Sequence, residues 1–489
     1  MNPEPALPLV RRNIQSAQIA FPSPGGEGQG EGERHSRSLT SRFAFRISIF
    51  VFLCLLTLTV TAAPRPNIVL IFTDNVGMND LSCYGSEIPT PHTDRIAREG
   101  ARFTHWYTAS SICTPSRFGL LTGRYPNRSQ DQLLTALMPT TARDDDRGIR
   151  PPETTIAGVL KQQGYRTAII GKWHLGHGDK KFLPTQHGFD SFFGFTGGCI
   201  DYFTLKYGDK PTWYRDQTLF EGTGYATDLL SDEAVKFIEQ QTPGQPFFLY
   251  LPHNSPHYGK SWDAENKKYL NLLQPHPKYL KLVEHIPAGP RRDYAAMMAG
   301  MDTGIGRLLD ALQRKGLGEN TLMMCLSDNG AMTEWSGSNH PFRGRISDPL
   351  EGGVRVPCVM RWPGKIKPGT LIHQPCSSLD IFPTLCHLTG ASTNGLTLDG
   401  LDITPVLLEG KEFPRDLFWS LGPYDGDAFI RGPWKYVRFK REGEMLFHLP
   451  SDPGEKWNLA KEHPAIFTEL KSAHTSLATK LGIQLGKRK

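Results

Sequence analysis

From residue 65 onward, apolar positions follow two rhythms. Short continuous runs rich in β-branched residues, such as Asn67-Ile68-Val69-Leu70-Ile71-Phe72, predict strands buried on both faces. Similar runs predict strands at Thr167–Ile170, Phe247–Leu251 and Leu322–Leu326, with a short strand over Arg102–Tyr107. Helical spacing predicts helices over Thr155–Gln163 and Asp293–Lys315, and one around Arg95–Gly100 that ends in glycine. Strands alternating with helices predict an α/β fold, a large mostly parallel sheet flanked by helices on both sides. After a helix at Ser378–Thr389 the rhythm changes. Leu417–Leu421, Ala428–Arg431, Trp434–Phe439 and Met445–Leu449 are short strand-like runs separated by turn residues, followed by an amphipathic helix over Pro464–Leu481. This predicts a large domain over residues 64–395 and a smaller C-terminal subdomain, residues 396–489, of antiparallel sheet and helix.

Residues 1–63 follow neither rhythm. Phe21–Gly32 is rich in Gly, Pro and Glu and reads as a disordered leader. Arg42 and Arg46 then precede an apolar run from Ile47 to Val60 and the small residues Thr61-Ala62-Ala63. That order of basic, apolar and small residues is a signal peptide pattern. The run is shorter than the roughly 20 residues of a spanning helix. The expectation is export to a periplasmic or extracellular compartment, with a membrane-anchored form if the segment is retained.

Among 489 residues the formal net charge is only +6 and is not gathered into long runs, which argues against a nucleic-acid partner. Seven of the eight cysteines follow the leader, at 83, 113, 199, 325, 358, 376 and 386, without zinc-type Cys-x-x-Cys spacing. Export permits disulfides, but pairing cannot be read from sequence. Cys325 and Cys358 lie in apolar runs that suit buried thiols.

Polar clusters follow the predicted strands, where ligand sites form in open α/β sheets. Asp74-Asn75 follows the first run and Ser327-Asp328-Asn329 follows Leu322–Leu326. Their oxygens suit Ca²⁺ or Mg²⁺ better than thiophilic metals. Gly171-Lys172-Trp173-His174-Leu175-Gly176 follows another strand, and Phe247–Leu251 leads to Pro252-His253-Asn254-Ser255-Pro256-His257. Pro115 suits the first turn of a helix, where N–H groups and the dipole favour an anion.

The stretch Cys113-Thr114-Pro115-Ser116-Arg117, followed by Leu121-Thr122-Gly123-Arg124, resembles the signature of the sulfatase family. Gly171–Gly176 and the strand ending in Pro256-His257 are similar to further motifs of that family. The resemblance covers about residues 65 to 475 and implies an alkaline phosphatase-like fold with a small C-terminal sheet. It also implies a sulfuric ester hydrolase. Cys113 would be oxidised by a separate maturation enzyme to formylglycine, whose hydrate attacks sulfur through one hydroxyl and expels sulfate through the other. Asp74, Asn75, Asp328, Asn329 and the Cys113 position would hold the cation. Arg117 would supply a permanent charge and Lys172 would hold the hydrate and the ester oxygens. His174 would be the base for sulfate expulsion, and His257 would touch the sulfate and protonate the leaving oxygen. The implied substrates are sulfated carbohydrates or aryl sulfates.

Two positions depart from the pattern. Asn75 stands where the family usually has a second Asp, which predicts weaker cation binding. Within Arg343-Gly344-Arg345-Ile346 and Glu351-Gly352-Gly353-Val354-Arg355-Val356-Pro357, Ile346 stands where many relatives carry a sulfate-binding lysine. Arg345 is the candidate to replace it. Two other readings are kept: a phosphate or phosphonate ester hydrolase of the same fold, and an inactive carbohydrate-binding relative.

Overall fold

Strand β1 (Asn67–Thr73) is fully buried and alternates between two cores. Ile68, Leu70 and Phe72 face one core, while Val69 and Ile71 face the other. Each such side chain contributes about 1.5–3 kcal/mol on burial, so the uninterrupted run commits β1 to the centre of a covered sheet. The computed structural model describes residues 65–151 and 153–485. The expected leader, signal segment and extreme C-terminus lie outside the described residues. No helix among the described residues is long and apolar enough to cross a membrane.

The other sheet strands, in chain order, are β2 (Ala101–Phe103), β3 (Arg166–Lys172), β4 (Ser191–Phe195), β5 (Trp213–Arg215) and β6 (Thr218–Leu219). Then come β7 (Phe247–Pro252), β8 (Thr321–Ser327), β9 (Cys358–Arg361) and β10 (Thr370–Ile372). Their order across the sheet is β10-β2-β9-β8-β1-β7-β3-β4-β5-β6. The central five, β8 to β4, are parallel, and antiparallel strands lie towards both edges. One face is covered by helices α2 (Cys113–Thr122), α3 (Ile156–Gln162), α6 (Ile381–Thr389) and α7 (Thr404–Glu409). The other carries α1 (Pro91–Arg98), α4 (Ala226–Glu239) and α5 (Pro290–Arg314). Ile403, Val406 and Leu407 of the α7 region belong to the main core.

Three predicted elements differ in detail. Helix α1 starts at Pro91, whose fixed φ suits its first turn, and stops at Arg98. The run Arg102–Tyr107 breaks into β2 and a bridge strand at Trp106–Tyr107, because the Thr104 N–H turns to the Ile372 carbonyl at 2.9 Å. Helix α2 begins at Cys113, two residues before Pro115. All seven described cysteines are free thiols, and Cys325 and Cys358 are buried.

The C-terminal strands β11 (Asp416–Ser420), β12 (Asp427–Arg431), β13 (Trp434–Phe439) and β14 (Gly443–His448) form an antiparallel sheet in that order. Trp419, Ile430 and Val437 pack towards Tyr107 and Val354, while Phe418, Phe429 and Tyr436 pack under α8 (Pro464–Lys480). A buried charge cluster ties this sheet to the short helix Glu351–Val354 and to Tyr107. Lys435 Nζ lies 2.8 Å from Glu351 Oε1 and 3.0 Å from Glu455 Oε1. The Tyr107 hydroxyl donates to Glu351 Oε2 at 2.9 Å, and the Glu351 N–H donates to Glu455 Oε2 at 2.7 Å. Lys435 thus serves both carboxylates, and Arg355 Nη1 also reaches Glu351 Oε2 at 3.4 Å.

Burial, only partly offset by Lys435, pushes the Glu455 carboxyl up to about 7 from 4.5. Between those values the folded chain holds a proton that the unfolded chain releases, so this group's stabilisation is complete below pH 4.5 and is lost as pH rises through 7. In urea unfolding, the stability of the native chain relative to Glu455→Gln should fall by on the order of 2 kcal/mol between pH 5 and pH 8. A difference independent of pH would show that Glu455 does not titrate in that window.

Candidate active site

The site lies at the C-terminal ends of the central strands. Strands β1 and β8 pair in parallel with Thr73 opposite Ser327, so Asp74 and Asp328 leave the sheet side by side. Asn75 turns the chain with a positive φ of 63°, a conformation that Asn tolerates, and its N–H donates to Asp328 Oδ1 at 3.1 Å. Strand β3 delivers Lys172 at its last position. Its Gly171 has no room for a side chain, because a Cβ would stand 2.0 Å from the Pro252 carbonyl oxygen on β7. Cys113 opens α2, whose residues are all buried.

These elements bring four charges together in a fully buried cluster. Arg117 Nη2 lies 2.7 Å from Asp328 Oδ2 and 3.9 Å from Asp74 Oδ1, and Lys172 Nζ lies 2.7 Å from Asp74 Oδ2. Arg117 Nη1 also donates to the Lys172 carbonyl at 3.2 Å, and the guanidinium stands over the Phe72 ring at 5.3 Å. Burial works against the Lys172 charge, but the Asp74 carboxylate outweighs it and holds the ammonium above its ordinary range. Burial and the neighbouring Asp74 charge push the Asp328 carboxyl up. Burial also pushes the Cys113 thiol up, against the pull of Lys172.

Both predicted histidines are held by backbone carbonyls. The His174 ring pairs through Nε2 with the Leu137 carbonyl at 2.9 Å, leaving Nδ1 buried without a partner. Because a carbonyl only accepts, Nε2 carries the hydrogen and Nδ1 is free to take a proton. Thr114 Oγ1 donates to the His174 carbonyl at 3.0 Å and accepts from the Leu137 N–H at 3.2 Å, so the residue after Cys113 holds this arrangement. The backbone of Gly198 lies against the same ring, where a Cβ would stand 2.7 Å from Nε2. His257 pairs through Nδ1 with the Tyr258 carbonyl at 2.9 Å, which leaves Nε2 as the accepting nitrogen. Burial, reinforced by the Lys172 ammonium, pushes its imidazole down to about 3.

The acidic and amide residues fit a hard cation. Ligand atoms of Asp74, Cys113 and Asp328 lie within 4.8 Å of one another. Asp74 Oδ1 and Asn329 Oδ1 are buried oxygens without hydrogen-bond partners. Asn75 Oδ1 accepts from Asn329 Nδ2 at 2.6 Å, while Asn75 Nδ2 is a buried donor with no partner. Two carboxylates balance Arg117 and Lys172, so a divalent ion would leave the cluster positive and attractive to an anion.

Arg345 is not drawn into this cluster. It is 52% exposed and pairs with Glu334 at 2.9 Å, because its loop turns the side chain to the surface. Ile346 is half-buried. Other residues that support the site escape sequence reasoning. The Tyr294 hydroxyl reaches the Asn75 carbonyl at 3.2 Å and Asp80 Oδ2 at 2.8 Å, steadying the Asn75 turn from α5. The Tyr258 ring lies between those of His257 and Trp335, tilted to both, with centroids 4.2 Å and 4.9 Å away. Tyr258 follows His257 directly and could have been found, whereas Asp80 and Tyr294 are joined only by the fold.

The comparisons agree with this geometry. The sulfatase family profile matches residues 66–391. The chain is 33% identical to arylsulfatase A of Bos taurus over 462 residues, covering 81% of this chain and 84% of that protein. It is 32% identical to human N-acetylgalactosamine-6-sulfatase over 453 residues, covering 81% and 82%. The crystal structure of Ps i-CgsB in complex with k-i-k-neocarrahexaose superposes with a TM-score of 0.76 at 29% identity, covering 85% of this chain and 93% of that one. Fold and site thus define an alkaline phosphatase-like hydrolase. The chain belongs to the sulfatase family, whose members are sulfuric ester hydrolases.

Asn75→Asp keeps the oxygen that accepts from Asn329, removes the unpaired donor and adds a charge. Calorimetric titration with Ca²⁺ should show binding tighter by on the order of tenfold. Unchanged or weaker binding would place the ion elsewhere.

Proposed function

We propose that the protein is an exported sulfatase that hydrolyses sulfate esters of sulfated sugars, with formylglycine derived from Cys113 as nucleophile. Its cation would be Ca²⁺, with Mg²⁺ the alternative, held by Asp74, Asn75, Asp328, Asn329 and the Cys113 position. The convergence of Cys113 with Asp74, Asp328, Arg117 and Lys172 supports this reading most. Names of similar proteins support the sugar class: one acts on an N-acetylgalactosamine sulfate and another was crystallised with a neocarrahexaose. The basic, apolar and small residues before position 64 support export and fit a periplasmic or extracellular site.

When bound, the cation would neutralise sulfate oxygens as charge shifts during the reaction. Oxidation of Cys113 would supply a hydrated aldehyde with two hydroxyls on one carbon. Lys172 and Arg117 would then orient the ester by charge and hydrogen bonds. His174 would take the proton from the second hydroxyl on Nδ1, the nitrogen its Leu137 contact leaves free. His257 would hold a proton on Nε2 for the leaving oxygen. Its Nδ1–H bond to Tyr258 orients that nitrogen, and an adjacent sulfate anion would favour the charged ring. With Ile346 in the lysine position, His257 would carry this task without help.

Two experiments test the proposal. After co-expression with a maturing enzyme, mass spectrometry of the Cys113 peptide should show an aldehyde, and Cys113→Ala should leave only trace sulfate release. Fully active protein carrying only a thiol would overturn it. Separately, His257→Ala should lower kcat on a sugar sulfate by about 10²–10⁴-fold. The loss should be much smaller on an activated aryl sulfate, whose oxygen leaves unaided. Equal losses on both substrates would assign His257 to binding instead.

A further inference from the structure

Beside the nucleophile, the chain from Gly198 to Asp201 forms a wall that begins against the His174 ring. Along this wall the Ile200 carbonyl accepts from the Lys260 N–H at 3.1 Å, and the Gly208 N–H donates to the Lys260 carbonyl at 2.8 Å. Lys260 stands three residues after His257, at the start of a hairpin formed by Gly259–Asp263 and Lys268–Leu272. Its backbone is therefore pinned close to the catalytic groups.

Its side chain is held in an unusual way. Nζ lies 5.5 Å from the centroids of both the Tyr207 and Tyr269 rings. Among the described residues no carboxylate forms an ion pair with it, although two acids lie on neighbouring segments. Asp201 accepts from Gln274 at 2.7 Å, from Ser261, and from the N–H groups of Phe203 and Thr204. Asp209 accepts from the Tyr269 hydroxyl at 2.9 Å. The aromatic faces orient the ammonium and partly dry it, but they use none of its N–H donors in hydrogen bonds. Lys260 is thus an oriented, half-buried cation without a counter-ion. It also shares a field with the nucleophile's surroundings. Burial chiefly sets the Cys199 thiol high, while both Lys172 and Lys260 pull it down.

We propose that Lys260 recognises a second anionic group of the substrate, a sulfate or a carboxylate on the sugar next to the scissile ester. This rests on the sugar-sulfatase reading above and narrows it to polyanionic saccharides. The same arrangement explains why the cation sits on the hairpin and not in the buried cluster. A flanking sugar reaches past the nucleophile, and only a group outside the cluster can meet it.

The test compares three monosulfated or disulfated disaccharides that share one scissile sulfate. In the first the flanking sugar carries a second sulfate, in the second a uronate, and in the third no charge. For Lys260→Met, KM on at least one of the charged substrates should rise about tenfold, with less than about twofold change on the neutral one. Lys260→Arg should restore most of the loss. Whichever charged substrate responds identifies the anion. Equal effects on all three, or no effect on any, would overturn the proposal, since a lysine that only rivets the hairpin affects all substrates alike. Calorimetric binding of the same sugars to Cys113→Ala and Cys113→Ala/Lys260→Met protein separates this from the catalytic reading. Absence of sulfate release from every substrate by matured native enzyme would sink the sulfatase proposal. A binding difference confined to a charged sugar would still uphold Lys260.

Discussion

Everything in the catalytic region depends on two carboxylates that leave adjacent parallel strands side by side. The Thr73–Ser327 register places Asp74 and Asp328 together in a space closed to water. Buried like charges are tolerated only when compensated. Arg117 and Lys172 supply the compensation from two other elements, so strand pairing, helix docking and the active site are one construction. Removing one partner of such a pair typically costs about 3–5 kcal/mol, because the other charge stays buried. The residues of the candidate site are therefore structural residues too.

The same principle is used twice, with different results. At Asp74 and Asp328 the charges balance one for one before any ligand arrives. At Glu351 and Glu455, Lys435 faces both carboxylates while Arg355 reaches only Glu351, and burial leaves Glu455 the one that keeps a proton. Burial is met by a proton in the second cluster, while in the first Asp74 Oδ1 and Asn329 Oδ1 are left as oxygens that suit a hard cation.

Much of the fold was legible because buried parallel strands are written as continuous apolar runs. The β1, β7 and β8 runs were recovered within a residue or two of their ends. Helix α1 was misplaced because its glycine lies beyond its end and its start signal is Pro91. The residues that converge in the site, Asp74, Cys113, Arg117, Lys172 and Asp328, were legible because each follows a strand run or sits inside one contiguous motif. Arg345 was harder: its position follows from the chain, but its direction follows from a salt bridge with Glu334. The support of Asn75 by Tyr294 and Asp80 was invisible for the same reason, since a hydroxyl 219 residues away carries no local signature.

The distance along the chain between the halves of the site has a consequence for its birth. Arg117 and Asp328 are 211 residues apart. At roughly 5–20 residues per second of synthesis, the later one is made roughly 10–40 s after the earlier. Until the end of that interval β8 is incomplete, and α2 lacks the Asp328 carboxylate that later pairs with Arg117. Cys113 is only 5% exposed in the finished fold, so the proposed maturation would act on it early in the life of the chain. On that proposal, timing as much as sequence would decide which chemical form of the residue the folded protein encloses.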